Sequence, residues 1–284
     1  MKLLEGKKIS ERILKKLENR IKKEKLKPAL AVILVGDDKA SEIYVKLKKK
    51  SAERIGIRFR LFRFEKNENE NTIMKKLSDL NKNKNVSGII VQLPLPKKFS
   101  TQKIINSIDP KKDVDGFSAK NGSAFGGHPL KSFTGFQPVF PHAIIKLLKA
   151  VPRAELSERY KAVALVNSKK FGEVMVAALA KKKIKAGYIF YKELKKNPKV
   201  LKQADIIISA CGRPGFIKGK MVKAGVIIID GGITKRGERV LGDADRQSLE
   251  EIVGYLSPVP GGVGPVTIAC LLENVYIASK KQSK

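Results

Sequence analysis

Short continuous runs of apolar, β-forming residues alternate with helix-periodic stretches along this whole chain, and that alternation restricts it to an α/β fold with mostly parallel strands. Ala29-Leu-Ala-Val-Ile-Leu-Val35 is apolar throughout, as a strand buried on both faces must be. A helical segment follows. Arg58 to Phe64 then alternates like a strand nearer an edge, and Asn71 to Leu80 is helical. Val86 to Gln92 is a second buried strand, closed by Leu93-Pro-Leu-Pro96. This βαβαβ series predicts an open, mostly parallel sheet with helices on both faces. Asp109 to Pro141 has no periodicity and is rich in Gly, Pro, Ser and Asp, which reads as a linker and functional loop.

A second series begins with a helix from His142 to Val151 and a strand from Lys161 to Val166. It continues with a helix from about Gly172, a strand from Ile184 to Tyr191 and a helix from Leu194 to Gln203. Strands at Asp205 to Ser209 and Val226 to Asp230 complete it. The last helix, Gly264 to Ser279, has no strand to follow, so it is expected to return to the first domain. The expected division is therefore a domain of residues 1–118 completed by 264–284, and a second domain of 140–258.

The helix between the first two strands carries the residue of most chemical interest. Ser41 suits its N-cap and Gly56 its C′ position. On a helical wheel Ile43, Tyr44, Val45, Leu47, Ala52 and Ile55 form one apolar stripe. Lys46, Lys49, Lys50 and Glu53 take the solvated face. Lys48 falls near the middle of the stripe, one turn after Tyr44. A buried ammonium is costly, and a desolvated lysine has its pKa lowered toward the working range of an enzyme base. A lysine that snorkels from the stripe's edge fits the same wheel.

Other features gather where ligands bind in open parallel sheets, beyond the carboxyl ends of the strands. Gln92 ends a buried strand, as a binding residue or as a strand-end cap. Asp113 and Asp115 stand in Lys-Lys-Asp-Val-Asp-Gly-Phe117, as a ligand-facing turn or as an Asx turn. Pro260-Gly-Gly-Val-Gly-Pro265 opens the last helix with backbone N–H groups suited to an anion or a close-lying ring. The second sheet is the nucleotide-binding candidate. Gly212-Arg-Pro-Gly215 and Gly231-Gly-Ile233 put glycines at strand ends there. Only Gly172 of a glycine-rich phosphate turn remains after the strand that ends at Val166.

Composition excludes several classes. No apolar run is long enough to span a bilayer, and the N-terminus lacks the apolar stretch of a signal peptide. Cys211 and Cys270 are far apart and in apolar contexts, which argues for a reducing cytoplasm rather than a disulfide scaffold. His128 and His142 are the only histidines and form no ligand spacing with cysteine, so no metal site is expected. The net charge is +32. It is spread over nearly every helix, Lys far outnumbers Arg, and Trp is absent, which suits solvated faces better than base readout or a stacking platform.

Taken together the motifs resemble a known family. Val35-Gly-Asp-Asp-Lys-Ala-Ser-Glu-Ile-Tyr-Val-Lys-Leu-Lys48, Val91-Gln-Leu-Pro-Leu-Pro96, Lys112-Asp-Val-Asp-Gly-Phe117 and Ser257 to Ala269 resemble those of bifunctional methylenetetrahydrofolate dehydrogenase/methenyltetrahydrofolate cyclohydrolases, the FolD family. They cover nearly the whole chain in the right order. The resemblance implies a catalytic domain, a Rossmann-like NADP domain and a homodimer. It implies catalytic roles for Tyr44, Lys48, Gln92 and Asp115, and folate contacts from Ser41, Asp113, Pro94, Gly261, Gly262 and Pro265. NADP, or NAD, would meet Val166, Asn167, Ser168, Gly172, Tyr191, Lys192, Gly212 and Ile233. The partners implied are tetrahydrofolate derivatives, polyglutamylated forms included, with no membrane and no specific nucleic acid.

The chain departs from the family pattern mainly in its cofactor half. Val166-Asn-Ser168 stands where the family has Gly-Arg-Ser or Gly-Ala-Ser, Glu173 follows Gly172, and Pro138-Val-Phe-Pro141 replaces Pro-Cys-Thr-Pro. A branched side chain at Val166 and the charge of Glu173 both oppose a pyrophosphate there. Three readings follow: the bifunctional enzyme, a cyclohydrolase with its dehydrogenase half weakened or lost, and a basic nucleic-acid-binding protein on an enzyme-like scaffold.

Overall fold

A computed structural model describes residues 1–118, 135–152, 160–194, 196–197 and 199–283. His128 and part of the expected 109–141 loop lie outside them. In chain order the elements are β1 (Lys2–Leu3), α1 (Gly6–Lys23), β2 (Ala29–Val35), α2 (Lys39–Arg54), β3 (Arg58–Phe64), α3 (Glu70–Lys82), β4 (Gly88–Val91) and α4 (Thr101–Asn106). There follow α5 (Val139–Leu148), β5 (Lys161–Val166), α6 (Lys169–Ala180), β6 (Lys185–Phe190), α7 (Lys199–Lys202), β7 (Ile206–Ser209) and β8 (Ile227–Asp230). The chain closes with β9 (Thr234–Arg236), β10 (Arg239–Leu241), α8 (Arg246–Leu249), β11 (Tyr255–Leu256) and α9 (Val263–Gln282). Two compact units result: residues 11–139 with 268–284, and residues 1–10 with 140–267.

The unit of residues 11–139 and 268–284 is built on a parallel sheet of order β3-β2-β4. All seven residues of the central β2 are buried, which explains its unbroken apolar run. Ala31, Ile33 and Val35 pack on one side with Ile73, Leu77 and Leu80 of α3 and with Ile89 and Val91 of β4. Beyond β4, Asp113 bridges Ile89 in parallel sense, and Ile89 N donates to Lys112 O at 2.7 Å. That bridge sets residues 112–114 beside β4 and carries Asp115 toward the carboxyl edge, where Gln92 leaves the same strand.

The N-cap of α2 lies three residues before the expected one. Asp38, in an extended conformation, is the N-cap, and its carboxylate accepts from Ser41 N at 2.7 Å. Ser41 sits inside the first turn instead. An acidic cap three residues earlier starts the helix sooner and satisfies the N3 amide, which is Ser41 N itself. Gly56 closes the helix at φ +82, as a C′ residue does. The buried stripe is also narrower than the wheel implies. Val45, Ala52 and Ile55 are buried, whereas Ile43 and Leu47 are 44% and 47% exposed.

The other unit has six parallel strands in the order β1-β11-β8-β7-β5-β6. β5 leads to β6 on one side, and the chain then crosses back to place β7 on the other. This reversal is the crevice-forming point of a doubly wound sheet. Leu165, Ile207, Ile228 and Leu256 form the core on one side with Leu194, Leu201 and Leu249. The single helix expected over 194–203 is replaced by a 3₁₀ turn, Tyr191–Glu193, and the short α7. Pro198 stands inside that span, and a proline removes a helix donor and crowds the preceding turn. β1 and the β9–β10 hairpin were not anticipated, being only two or three residues long.

Candidate functional site

In the unit of residues 11–139 and 268–284, the carboxyl edge of the sheet brings together the side chains singled out from sequence. Lys48 Nζ donates to Gln92 Oε1 at 2.8 Å, and Gln92 Nε2 donates to Leu93 O at 2.7 Å. The second bond fixes the amide with its oxygen toward the lysine. Ser41 Oγ reaches the same Leu93 carbonyl at 3.4 Å, which ties the start of α2 to the loop after β4. Pro94 is exposed in that loop and follows a cis peptide. Tyr44 lies one turn before Lys48 on α2, so both project from one face of the helix.

The electrostatics of this group are unusual. Burial pulls the Lys48 ammonium below the ordinary lysine range, and the charge of Asp115 offsets this only in part. Burial pushes the Asp115 carboxyl up to about 6, against the attraction of Lys48 and with added repulsion from Asp113. Burial likewise raises the Tyr44 phenol. Desolvation thus outweighs mutual attraction at both members of the Lys48–Asp115 pair, moving acid and base toward each other's range.

Asp113 does something different. It is 1% exposed, and its two oxygens accept from Gly116 N at 3.1 Å and Ser118 N at 2.7 Å. Its carboxylate therefore folds the turn that presents Asp115. Gly116 has φ +74, and a Cβ there would lie 2.7–2.8 Å from backbone atoms of Phe136, Gln137 and Pro138. Only glycine fits this close approach. Two supporting residues escaped the sequence reading. Asn274 on α9 donates from Nδ2 to Val114 O at 2.9 Å and Gln137 O at 3.3 Å. Lys112, 7% exposed, donates to the carbonyls of Leu80, Asn81 and Asn83 at 3.0, 2.7 and 2.8 Å. Unlike the half-buried Lys48 it is buried outright, and it is committed to the end of α3.

The remaining predicted residues belong to the other unit. Gly261, half-buried at φ +109, accepts through its carbonyl from Lys7 N at 3.0 Å. Gly262 is buried against Pro258 O, and Pro265 stands in the first turn of α9. At the carboxyl ends of β5 and β6 a cavity of about 420 Å³ is lined by Val166, Asn167, Phe190, Tyr191, Lys192, Glu193 and Arg213. Asn167 Nδ2 donates to Cys211 O at 2.8 Å, across the point where the strand order reverses. Ser168 caps α6, its Oγ accepting from Phe171 N at 3.2 Å. Gly172 lies against the Tyr188 ring, which a Cβ would approach to 2.5 Å, so helix and strand pack closely here. Glu173 pairs with Lys169 one turn earlier at 3.9 Å. Gly212 and Ile233 lie near one another at adjacent strand ends but do not line the cavity. Phe190, Glu193 and Arg213 line it without having been singled out. The sequence signal for Arg213 was its place between the two glycines of Gly212-Arg-Pro-Gly215.

Comparison with known proteins agrees with both halves of this description. Residues 4–115 match the tetrahydrofolate dehydrogenase/cyclohydrolase catalytic domain, and residues 138–283 match the NAD(P)-binding domain of the same name. The chain is 38% identical over 288 residues to the bifunctional protein FolD of Campylobacter hominis, covering 100% of this chain and 99% of that one. Among solved structures, the bifunctional FolD enzyme of Campylobacter jejuni superposes with a TM-score of 0.89 at 36% identity over 99% of both chains. FolD from Trypanosoma brucei, solved with NADP cofactor and inhibitor, gives a TM-score of 0.88 at 25% identity over 99% of this chain and 97% of that one.

Proposed function

The chain belongs to the tetrahydrofolate dehydrogenase/cyclohydrolase family, and from that premise we propose how its own residues carry the two reactions. It oxidises 5,10-methylenetetrahydrofolate to the 5,10-methenyl cation and hydrolyses that cation to 10-formyltetrahydrofolate. NADP, when bound, accepts the hydride that leaves the methylene carbon. The observation that carries the assignment of roles is the 2.8 Å bond from Lys48 Nζ to Gln92 Oε1 beside a carboxyl raised to about 6.

Lys48 is the general base for the hydrolytic step. Its lowered pKa leaves a larger fraction of free amine near neutrality than an exposed lysine has, and less charge to repel the methenyl cation. Water attacks the methenyl carbon as one of its protons passes to the lysine nitrogen. The bond from that carbon to N5 then breaks, N5 taking the proton back from the lysine while the hydroxyl proton leaves to solvent, and N10 keeps the formyl group. Gln92 holds the amine in place. Tyr44 orients it from the preceding turn. Asp115 holds the pterin through hydrogen bonds, and Asp113 shapes the turn from which it does so. Ser41 and Pro94 complete the folate contacts of this unit.

For the dinucleotide, the cavity at the ends of β5 and β6, with the start of α6 that follows β5, offers the needed parts. Ser168 and the capped start of α6 face the pyrophosphate, Gly172 lets the helix pack close, and Asn167, Tyr191 and Lys192 line the adenosine end. Val166, Gly212 and Ile233 form the adjoining strand ends. The positive surface attracts the anionic tail of polyglutamylated folates. We assign the enzyme to the cytoplasm as a homodimer, with no specific nucleic acid and no membrane partner. No helix among the described residues is long and apolar enough to cross a membrane.

Lys48→Met tests this reading. Methenyltetrahydrofolate hydrolysis should fall at least 100-fold, in the range of about 10²–10⁴ typical of a lost general base, while the protein stays folded by circular dichroism. Hydrolysis within a few-fold of the parent enzyme would overturn the role of Lys48.

A further inference from the structure

The cavity in the NAD(P)-binding unit contains a guanidinium to which the assignment above gives no task. The Arg213 side chain lies over the Tyr191 ring, its guanidinium carbon 4.9 Å from the ring centroid, and its Nη2 donates to Tyr191 Oη at 2.6 Å. Its backbone is held as firmly. Arg213 N donates to Asp243 Oδ1 at 2.5 Å, while Cys211 N and Ser209 Oγ reach Asp243 Oδ2 at 2.7 and 2.6 Å. Asp243 is fully buried and its own N–H donates to Asp230 Oδ1 at 3.1 Å, so the anchor is itself fixed. Such a guanidinium is placed before any ligand arrives and loses little freedom on binding.

Three charged residues line the cavity: Lys192, Glu193 and Arg213. Two positive charges and one negative leave it +1. Asn167, the other polar side chain at the β5 end, already donates its amide to the Cys211 carbonyl. We propose that Arg213, laid on Tyr191 and anchored through Asp243, is the residue that reads the adenosine 2′-phosphate and so selects NADP over NAD. This rests on the assignment of the cavity to the dinucleotide. A guanidinium that gives one N–H to a phenol keeps four others for an anion, and its fork matches two phosphate oxygens at once. Lys192 adds a point charge. Glu193 opposes the phosphate, but a single carboxylate faces two cations. A ribose hydroxyl, carrying no charge, would gain little from the same pair. Tyr191 and Asp243 are positioning residues in this scheme, and Arg213 touches the ligand.

The probes are adenosine 2′,5′-bisphosphate and 5′-AMP, titrated calorimetrically into the intact protein. The parent enzyme should bind the bisphosphate about 10–100-fold more tightly, as expected for a charge-assisted bidentate contact. In Arg213→Leu the two affinities should come within about threefold of each other through loss of bisphosphate binding, and KM for NADP should rise relative to KM for NAD. Arg213→Lys should keep part of the preference, since it keeps the charge without the fork. A preference that survives intact in Arg213→Leu would overturn the inference and leave the dinucleotide site standing. If the parent enzyme bound neither probe, both the inference and the cavity's assignment would fall. Should the leucine variant melt early, Arg213→Gln is judged by the same ratio.

Discussion

Replacing Asp115 by asparagine should stabilise the protein and disable it at once. The carboxyl is raised from an ordinary 3.8 to about 6, with burial outweighing the pull of Lys48. In the unfolded chain the same group ionises near its ordinary value. Between pH 3.8 and about 6 the folded state therefore binds more protons than the unfolded one, and stability falls as pH rises through that window. Above it the whole cost is present, and below it none. At about 1.4 kcal/mol per pH unit the span corresponds to about 3 kcal/mol. The residue is only partly withdrawn from solvent and an amide is itself polar, so about 1–3 kcal/mol is the expected gain at pH 7.5. At roughly 2–4 °C per kcal/mol, that is a rise of about 2–12 °C in Tm. The assay is thermal unfolding of parent and variant from pH 4 to pH 8, with folate oxidation and hydrolysis measured alongside. The gap in Tm should open as pH climbs from 4 to 6.5 and stay level above. Asp230, also raised to about 6, contributes the same slope to both proteins and cancels. A variant no more stable than its parent at pH 7.5, or a gap that persists unchanged at pH 4, would refute the account of Asp115 as a desolvated carboxyl.

Two further substitutions separate support from chemistry. Lys112→Met removes three bonds to the end of α3, one of them to the buried Leu80 carbonyl. A loss of about 2–4 kcal/mol is expected in urea unfolding, after allowing for the ammonium that no longer has to be buried; a loss below about 0.5 kcal/mol, the scale of an ordinary surface change, would mean the capping bonds contribute little. Gly116→Ala forces a Cβ to within 2.7 Å of the Phe136 carbonyl at φ +74, so it should cost about 2–4 kcal/mol. It should also lower both folate reactions by displacing Asp115, which steady-state kinetics at a temperature well below the melting point would show.

What could be read from the sequence follows a physical pattern. β2 was legible to the residue because a strand inside a parallel sheet buries both faces and loses the polar positions that blur its ends; β5 was legible from its short apolar run, which opens on the exposed Lys161 and ends buried at Val166. The two-residue β1 and β11 carry no periodicity, and the pairing of β1 is decided by a partner some 250 residues away. α2 was legible as a helix, but Asp38 and Ser41 compete for one N-cap, and local chemistry alone does not say which wins. Its apolar stripe was drawn too wide because a wheel counts Ile43 and Leu47 without knowing which way the helix is rolled. Lys48 was conspicuous from its position among apolar residues. Lys112, Asn274 and Arg213 were not, since each is defined by an acceptor or ring far along the chain. The motif around Asp113 and Asp115 was visible as a pair, yet only coordinates separate the carboxylate that folds the turn from the one that the turn displays.

The pairing of Lys2 with Tyr255 and the return of residues 268–284 to the first-built sheet have a consequence for biosynthesis. β1 must wait until Tyr255 and Leu256, some 250 residues later, have emerged before its edge of the six-stranded sheet can close. The unit of residues 11–139 likewise lacks its last helix until residues 268–284 have emerged. Neither unit can therefore be obtained by a single cut, and a nascent chain stalled near residue 260 should remain protease-sensitive in both halves.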